Sequence, residues 1–158
     1  MTRSKVTTFL WFETLAAEEA ARFYTSIFPD SSIDRVVLSP AGSPLPVGTP
    51  MIVEFTLAGV PYIALNGGSP SQFTEAISLC VDCEDQAEID YYWERLSEGA
   101  GPGQCGWIKD KYGLTWQIVP RILPELVSNP LTAGPVMQAL RQITKVDIAQ
   151  LKAAATVQ

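Results

Sequence analysis

Residues 104–120 read QCGWIKDKYGLTWQIVP, and this stretch has the pattern of a β-hairpin. Asp110 suits the first position of a type I turn, and Gly113 suits the left-handed residue that follows such a turn. The resulting three-residue loop fixes the register of the two strands. It predicts three cross-strand pairs, which are Lys109 with Thr115, Trp107 with Gln117 and Cys105 with Val119.

The two faces of this predicted hairpin differ in polarity. One face is apolar and requires a covering helix; it consists of Ile108, Leu114, Trp116 and Ile118. The other face is mixed and consists of Cys105, Trp107, Lys109, Thr115 and Gln117. A mixed face with a tryptophan and an amide is typical of a binding-cleft wall and also of an ordinary half-solvated sheet. A one-residue change of register would exchange the two faces.

Length and composition indicate a folded protein that contains one domain or a pair of small modules. The chain has 158 residues, of which 47% are hydrophobic, so it is neither a disordered chain nor an obvious membrane protein. No apolar run approaches the ~20 residues of a membrane span, and residues 1–5 lead into no signal-type block. We therefore expect a cytoplasmic protein that does not bind membranes.

Charge and cysteine content narrow the possible partners. The net charge of −6 repels phosphate backbones, so we expect no nucleic-acid partner. The three cysteines, Cys80, Cys83 and Cys105, are an odd number in a chain without an export signal. They are therefore expected to be free thiols and not a disulfide framework.

The chain contains no histidine. This absence excludes catalytic triads that use histidine, histidine general bases and the commonest transition-metal ligand. Any chemistry must come from carboxylates, thiols, tyrosines, lysines or backbone groups.

The first part of the chain has the order β, α, β, β, β. Strands are predicted at residues 5–12, 32–39, 51–57 and 60–66, with an irregular loop between the second and third. The helix follows the first strand, with Thr14 as the expected N-cap. One apolar stripe identifies this helix, and it consists of Ala20, Phe23, Tyr24, Ile27 and Phe28.

The same pattern returns after the linker at 67–71. A strand is predicted at 75–82 and a helix at 84–98, and a shift of 69 residues superposes their apolar positions on those of the first strand and helix. The second copy is shorter, because residues 100–103 leave little room for a strand before the hairpin. Helical segments follow near 122–128, 134–145 and 147–155. Their apolar stripe, which is expected to pack on the body or on a partner subunit, consists of Val136, Met137, Leu140 and Ile143.

These patterns predict an α+β fold with two βαβββ-type modules in one compact domain. The first module covers 1–68, the shortened second module 69–121, and a C-terminal helical tail 122–158. The two modules are expected to form curved walls of a cleft with both helices on the outside.

Several stretches of the chain resemble one protein family. They are Thr8 to Phe12, Ala17 to Ala20, Phe23-Tyr24, Phe28 to Ser31, Ala64 to Gly68, Tyr91 to Trp93, Gly103 to Trp107, Trp116 to Pro120 and Lys145 to Ile148. They resemble the PhnB-like family, whose members are often labelled "3-demethylubiquinone-9 3-methyltransferase". That family lies in the vicinal-oxygen-chelate superfamily, with glyoxalases, bleomycin-resistance proteins and extradiol dioxygenases. The resemblance implies a glyoxalase-like fold and a homodimer.

The resemblance also implies where a metal would be bound. The superfamily's ligand positions fall at Thr7 and Ala76 on the first strands and at Ala64 and Gln117 on the last strands. These side chains cannot make a useful divalent site, since carboxylate or imidazole donors are required. We expect no catalytic metal and no cofactor, unless thiolates of Cys80 and Cys105 beside Glu54 form a site of a different geometry.

Strand phase places a set of candidate residues around one concavity. Glu54 is the candidate general base, because a half-buried carboxylate has a partner or a raised pKa. The expected ligand-binding residues are Thr7, Phe9, Trp11, Asn66, Ser78, Cys80, Cys105, Trp107 and Gln117. Trp11 and Trp107 suit core packing as well as ligand stacking, and Asn66 suits a turn cap as well as a ligand contact. Cys80 and Cys105 suit burial as small apolar side chains as well as an approach to each other in the cleft.

The sequence leaves three classes of function open. The first is a metal-independent enzyme or binding protein for a small, partly apolar molecule. The second is a sequestering protein without chemistry, like the bleomycin-resistance branch. The third is a methyltransferase, although the connection from Phe12 to Ala17 lacks the glycine-rich turn that usually holds S-adenosylmethionine.

Overall fold

The computed structural model describes residues 5–69, 71–101 and 103–156. The chain divides between Phe73 and Thr74 into two compact units. The sequence placed the corresponding module boundary between Gly68 and Ser69. No helix within the described part of the chain has the length and apolar character needed to cross a bilayer.

The first unit contains one helix and a four-stranded mixed sheet. The elements follow the predicted order: β1 Thr8–Phe12, α1 Ala17–Ile27, β2 Ser32–Leu38, β3 Pro50–Leu57 and β4 Val60–Asn66. The strand order is β1-β4-β3-β2, with β1 parallel to β4 and the remaining pairs antiparallel.

Side chains alternate between the two faces of this sheet. Helix α1 packs on the face that carries Leu10, Val53 and Phe55, all of which are buried. The buried Tyr24 and Ile27 of α1 complete this core. The predicted apolar stripe of α1 is therefore confirmed.

The N-terminus of α1 differs from the prediction. The helix begins at Ala17, so its N-cap is Ala16, which makes no side-chain capping bond, and Thr14 is not the cap. The Ala17 N–H instead donates to Oδ1 of Asn66 at 3.0 Å. A residue at the end of β4 satisfies the open end of the helix, and such a long-range cap has no local sequence signal.

The second unit contains a three-stranded sheet and four helices among its described residues. Its elements are β5 Leu79–Cys83, α2 Gln86–Leu96, β6 Trp107–Lys109, β7 Thr115–Pro120, α3 Leu123–Ser128, α4 Ala133–Leu140 and α5 Ile148–Thr156. The strand order is β5-β7-β6, with β5 parallel to β7 and β6 antiparallel to it.

Strand β5 begins later than predicted. Residues 75–78 lie outside the strand, and Ile77 is 68% exposed instead of joining the apolar face. Helix α2 is also shorter than predicted, because Asp85 caps it by accepting a hydrogen bond from the Glu88 N–H at 3.0 Å.

The hairpin register is confirmed for two of its three predicted pairs. Lys109 pairs with Thr115 and Trp107 with Gln117, and Gly113 has a φ of 87°. The predicted pair of Cys105 with Val119 is wrong, because residues 104–107 form a tight turn with a bridge between Gln104 and Trp107. Two N–H groups of this turn donate to carbonyl groups of the tail. The Cys105 N–H donates to the Ile143 carbonyl, and the Gly106 N–H donates to the Thr144 carbonyl.

The tail helices pack among themselves and leave little of their apolar stripe exposed. Helix α4 contacts α3 and α5. Val136 and Leu140 are buried, whereas Met137 is 45% exposed. Two of the four predicted stripe residues are therefore buried within the chain, and Ile143 is half-buried.

Asp110 stabilises the hairpin turn, and we predict that Asp110→Ala lowers the free energy of unfolding by about 3 kcal/mol. Its Oδ1 accepts from the N–H groups of Tyr112 and Leu114, and its Oδ2 accepts from Trp116 Nε1 at 2.8 Å. Both Asp110 and Trp116 are buried, so the substitution leaves the indole N–H without its acceptor. Urea unfolding measures the change. Asp82→Ala, an exposed position on β5, is the control, and a loss of the same size there would contradict this role.

Candidate functional site

The candidate residues of the first unit lie in a row on the sheet face opposite α1. Phe9 and Glu54 are both register partners of Ile63 on the central strand, and Arg35 on β2 is the partner of Glu54. Phe9 is 52% exposed. Thr7 is half-buried and immediately precedes β1. The predicted placement of Phe9 and Glu54 on one mixed face is therefore confirmed.

Trp11 lies on the same face, and its position depends on a glycine. It follows Phe9 at a spacing of two residues on β1 and is 37% exposed. Its indole ring lies so close to Gly67 that a Cβ atom there would overlap the ring. The Trp11 ring therefore packs against the Gly67 backbone, and a larger residue at position 67 would displace the ring.

Glu54 is engaged by a guanidinium group. Arg35 Nε donates to one carboxylate oxygen at 3.0 Å and Arg35 Nη2 to the other at 2.6 Å. The hydrogen bonds and the charge of Glu54 raise the pKa of Arg35. A proton taken up by Glu54 would remove the negative charge that holds Arg35, so this ion pair opposes a role as a general base.

Asn66, an expected ligand-binding residue, does not lie on the face of Phe9 and Trp11. Asn66 is the register partner of Phe12 and points to the α1 side, where it is 1% exposed. Its Oδ1 accepts from the Ala17 N–H, and its Nδ2 donates to the Pro50 carbonyl at 2.7 Å. The two ends of the amide therefore join the end of β4 to the start of α1 and to the start of β3.

The candidate residues of the second unit form a row across its three strands. Cys80 on β5 and Trp107 on β6 are both register partners of Gln117 on β7. Gln117 Nε2 donates to Ser78 Oγ at 2.8 Å. The structure thus brings Ser78, Cys80, Trp107 and Gln117 together on the mixed face, as strand phase predicts.

A cavity of about 430 Å³ adjoins this row at the edge of β6. Trp107, Lys109 and Thr115 line it together with Glu75, and Cys105 reaches it from the turn at 104–107. The Lys109 ammonium lies 3.2 Å from the Glu75 carboxylate, and both side chains are largely exposed. Cys105 therefore belongs to the site, but its position comes from the turn and not from a strand.

Thr115, one of the residues that line this cavity, carries an unusual polar group. The residue is 3% exposed, and its Oγ1 is buried with no hydrogen-bond partner among the described residues. Buried hydroxyl groups are almost always hydrogen-bonded. The sequence placed Thr115 on the mixed face, but it gave no sign that the hydroxyl would lack a partner. Glu75, Gln104 and Lys109 were also not among the predicted site residues, since charged and amide side chains are common on exposed strand ends.

Two of the three thiols are poor nucleophiles at neutral pH. All three cysteines are free. Desolvation and the Asp82 carboxylate raise the pKa of Cys80. Burial, followed by nearby carboxylates, raises the pKa of Cys83 to about 12. Because the thiolate is the reactive form, neither of these two groups suits covalent chemistry.

The positions implied for a metal do not fit a divalent ion. Ala64 faces α1 and is fully buried, Ala76 lies outside β5, and the Gln117 amide bonds to Ser78. Thr7 offers a hydroxyl, which is a weak ligand without carboxylate or imidazole partners. The described residues contain no group of three or more Cys, Asp or Glu side chains that could hold a metal.

A protein family matches this chain over most of its length. The family described as 3-demethylubiquinone-9 3-methyltransferase matches residues 4–119. The chain belongs to this family. It is also 36% identical to a solved protein from Bacillus cereus described as a putative 3-demethylubiquinone-9 3-methyltransferase, PhnB protein. That match covers 74% of this chain and 99% of the other, with a TM-score of 0.66.

More distant structures share the fold of the family. A protein from Pseudomonas aeruginosa is 16% identical, with 75% and 98% of the two chains covered and a TM-score of 0.61. The fosfomycin resistance protein FosX from Mesorhizobium loti is also 16% identical, with 82% and 100% covered and a TM-score of 0.55. No curated protein matches the chain. The fold is thus the glyoxalase-like fold of the vicinal-oxygen-chelate superfamily, with a shortened second module and a helical tail.

The raised pKa of Cys83 predicts a loss of stability at high pH. The folded chain keeps this thiol protonated up to about pH 12, whereas the unfolded chain releases the proton above about pH 9. The stabilising contribution is therefore complete below pH 9 and is lost as the pH rises toward 12. In Cys83→Ala, the melting temperature should fall less steeply between pH 8 and pH 10.5 than in the unaltered chain. Equal slopes would contradict the assignment, and Cys105→Ala is the control.

Proposed function

We propose that the chain binds a small, partly apolar molecule at the mixed face and cavity of its second unit. One observation carries this proposal, namely a cavity of about 430 Å³ that is lined by Trp107, Ile108 and Thr115 among other residues. Pockets for small ligands usually measure about 300–1,000 Å³ and combine apolar walls with a few polar groups. The volume of this cavity lies in that range, and Trp107 and Ile108 supply apolar surface beside its polar groups.

The polar groups favour binding without catalysis. A general base must accept a proton, and protonation of Glu54 would sacrifice its ion pair with Arg35. A thiolate nucleophile needs a lowered pKa, and those of Cys80 and Cys83 are raised. These features support a sequestering or carrier protein over a metal-independent enzyme.

The methyltransferase activity in the family description gains no support from the local structure. Enzymes that use S-adenosylmethionine commonly hold it at a glycine-rich turn after the first strand of a parallel sheet. Here residues 13–16 connect β1 to α1 without a glycine, and the sheet of the first unit is mixed. Binding therefore explains the residues better than methyl transfer does.

We further infer that this binding requires no divalent metal and takes place in the cytoplasm. The residues at the implied ligand positions lack the donors that a divalent ion needs. The three free cysteines suit a reducing compartment.

The proposal is tested by native mass spectrometry of untagged protein purified from cell extract. We expect a retained small molecule and a metal content well below one per chain. Trp107→Ala should weaken its binding about tenfold, because an aromatic contact contributes ~1 kcal/mol or more. Tyr91→Ala, which removes an exposed aromatic side chain from α2, should leave binding unchanged. Equal retention by the Trp107 and Tyr91 variants would contradict the location of the site.

We also propose that the protein forms a homodimer. The support is the family resemblance together with the exposed Phe9 and Trp11 side chains of β1. The tail stripe gives no support, since Val136 and Leu140 are buried within the chain. Sedimentation velocity at micromolar concentration should give twice the 17.2 kDa mass of one chain. A single 17 kDa species would refute the dimer.

A further inference from the structure

We propose that Asn66 is a site of spontaneous deamidation that the fold keeps closed, and that its conversion to aspartate or isoaspartate breaks the junction of β4, α1 and β3. Asparagine followed by glycine is the dipeptide most prone to this reaction, because glycine leaves its backbone nitrogen flexible and unshielded. The chain contains two asparagines, Asn66 and Asn129, and Asn66 alone precedes a glycine. This inference concerns the first unit and does not rest on the ligand site of the second.

The reaction joins Asn66 to the next residue and then consumes water. The Gly67 backbone nitrogen bonds to Asn66 Cγ, the Cγ–Nδ2 bond breaks, and the proton of the Gly67 N–H leaves with Nδ2 as ammonia. Water then opens the resulting cyclic imide at one of its two carbonyls. Opening at Cγ gives aspartate, whereas opening at the backbone carbonyl gives isoaspartate, in which the main chain runs through Cγ and is one methylene longer.

The fold holds the Asn66 amide away from the Gly67 nitrogen. Asn66 is the last residue of β4, pairs with Phe12 and is 1% exposed. Its Oδ1 accepts from the Ala17 N–H at 3.0 Å, and its Nδ2 donates to the Pro50 carbonyl at 2.7 Å. Ring closure rotates the side chain and the extended backbone of Asn66, so it breaks both hydrogen bonds. The reaction therefore proceeds only when this end of the sheet opens.

The surroundings of the two residues require this reactive pair. At position 66 the junction needs an acceptor and a donor on one short side chain, which an asparagine amide provides. At position 67 a side chain is excluded, because a Cβ atom there would overlap the Trp11 ring. The contacts that require the reactive pair are thus the contacts that prevent its reaction.

Conversion removes the donor on which the junction depends. In aspartate an oxygen replaces Nδ2 and faces the Pro50 carbonyl oxygen, so two acceptors meet where a hydrogen bond was. The new carboxylate is also withdrawn from water, and its contact with the Ala17 N–H at the start of α1 offsets this cost only in part. Isoaspartate adds a displacement, because its longer main chain moves Gly67 from its place against the Trp11 ring.

The test follows both asparagines of the unaltered full chain by peptide mapping after incubation at pH 8 and 37 °C, with and without guanidinium chloride. In guanidinium chloride, Asn66 should convert to a mixture of aspartate and isoaspartate. In native buffer its conversion should be about a thousandfold slower, because the junction opens only at a free energy close to that of unfolding. Asn129 is the internal control and should stay unchanged in both samples, because the nitrogen of Pro130 has no proton to lose.

Two matched variants test the consequence of conversion. Asn66→Asp should lower the melting temperature by about 5–10 °C, through the lost donor and the buried charge. Asn129→Asp should leave the melting temperature unchanged. Asn129 is exposed, and its Oδ1 accepts from the Leu131 N–H, which a carboxylate oxygen does equally well.

Three results would overturn the inference. One is an Asn66 that stays intact in guanidinium chloride, and another is a native-state suppression of less than about tenfold. The third is an Asn66→Asp variant that melts with the unaltered chain. If this variant does not fold, chains converted in guanidinium chloride are refolded in its place. The converted chains should then be missing from the folded fraction on size exclusion, and recovery equal to that of unconverted chains would contradict the role of the junction.

Discussion

The buried carboxylate of Asp110 accepts hydrogen bonds from two N–H groups of its own turn and from the indole N–H of Trp116. This arrangement fixes the turn and the register of β6 against β7 at the same time. The register in turn places Trp107 and Cys80 on either side of Gln117. The mixed face and the cavity beside it thus depend on one carboxylate. Its three hydrogen bonds offset the free-energy cost of removing it from water.

Most polar groups on the two mixed faces already have partners. Glu54 is held by Arg35, the Gln117 amide bonds to Ser78, and Lys109 pairs with Glu75. Groups that are paired in this way position a ligand more readily than they exchange protons with it. Thr115 is the exception, since its buried hydroxyl has no hydrogen-bond partner among the described residues.

The tail extends beyond the segment that the family match covers, and yet it contributes to the site. The match ends at residue 119, and the carbonyls of Ile143 and Thr144 accept from the turn that bears Cys105. Gln86 holds the next part of the tail, since its side chain bonds to the Val146 carbonyl and to the Ile148 N–H. The tail therefore takes a structural part in the shortened second module, where little room is left for a strand before the hairpin.

The sequence by itself determined the order of the elements, the two modules and the faces of the hairpin, because alternation along strands, helical periodicity and turn chemistry are local. It therefore identified the mixed row of Cys80, Trp107 and Gln117 correctly. Tertiary structure alone decided the features that join distant residues. Asn66 caps a helix 49 positions away and so leaves the mixed face. Cys105 enters a left-handed turn that tail carbonyls hold. Glu54 gains its guanidinium partner, and the Thr115 hydroxyl finds no partner in the part of the chain that the structure describes. Hydrogen bonds of this kind follow from the packing of the whole chain, and no local pattern records them.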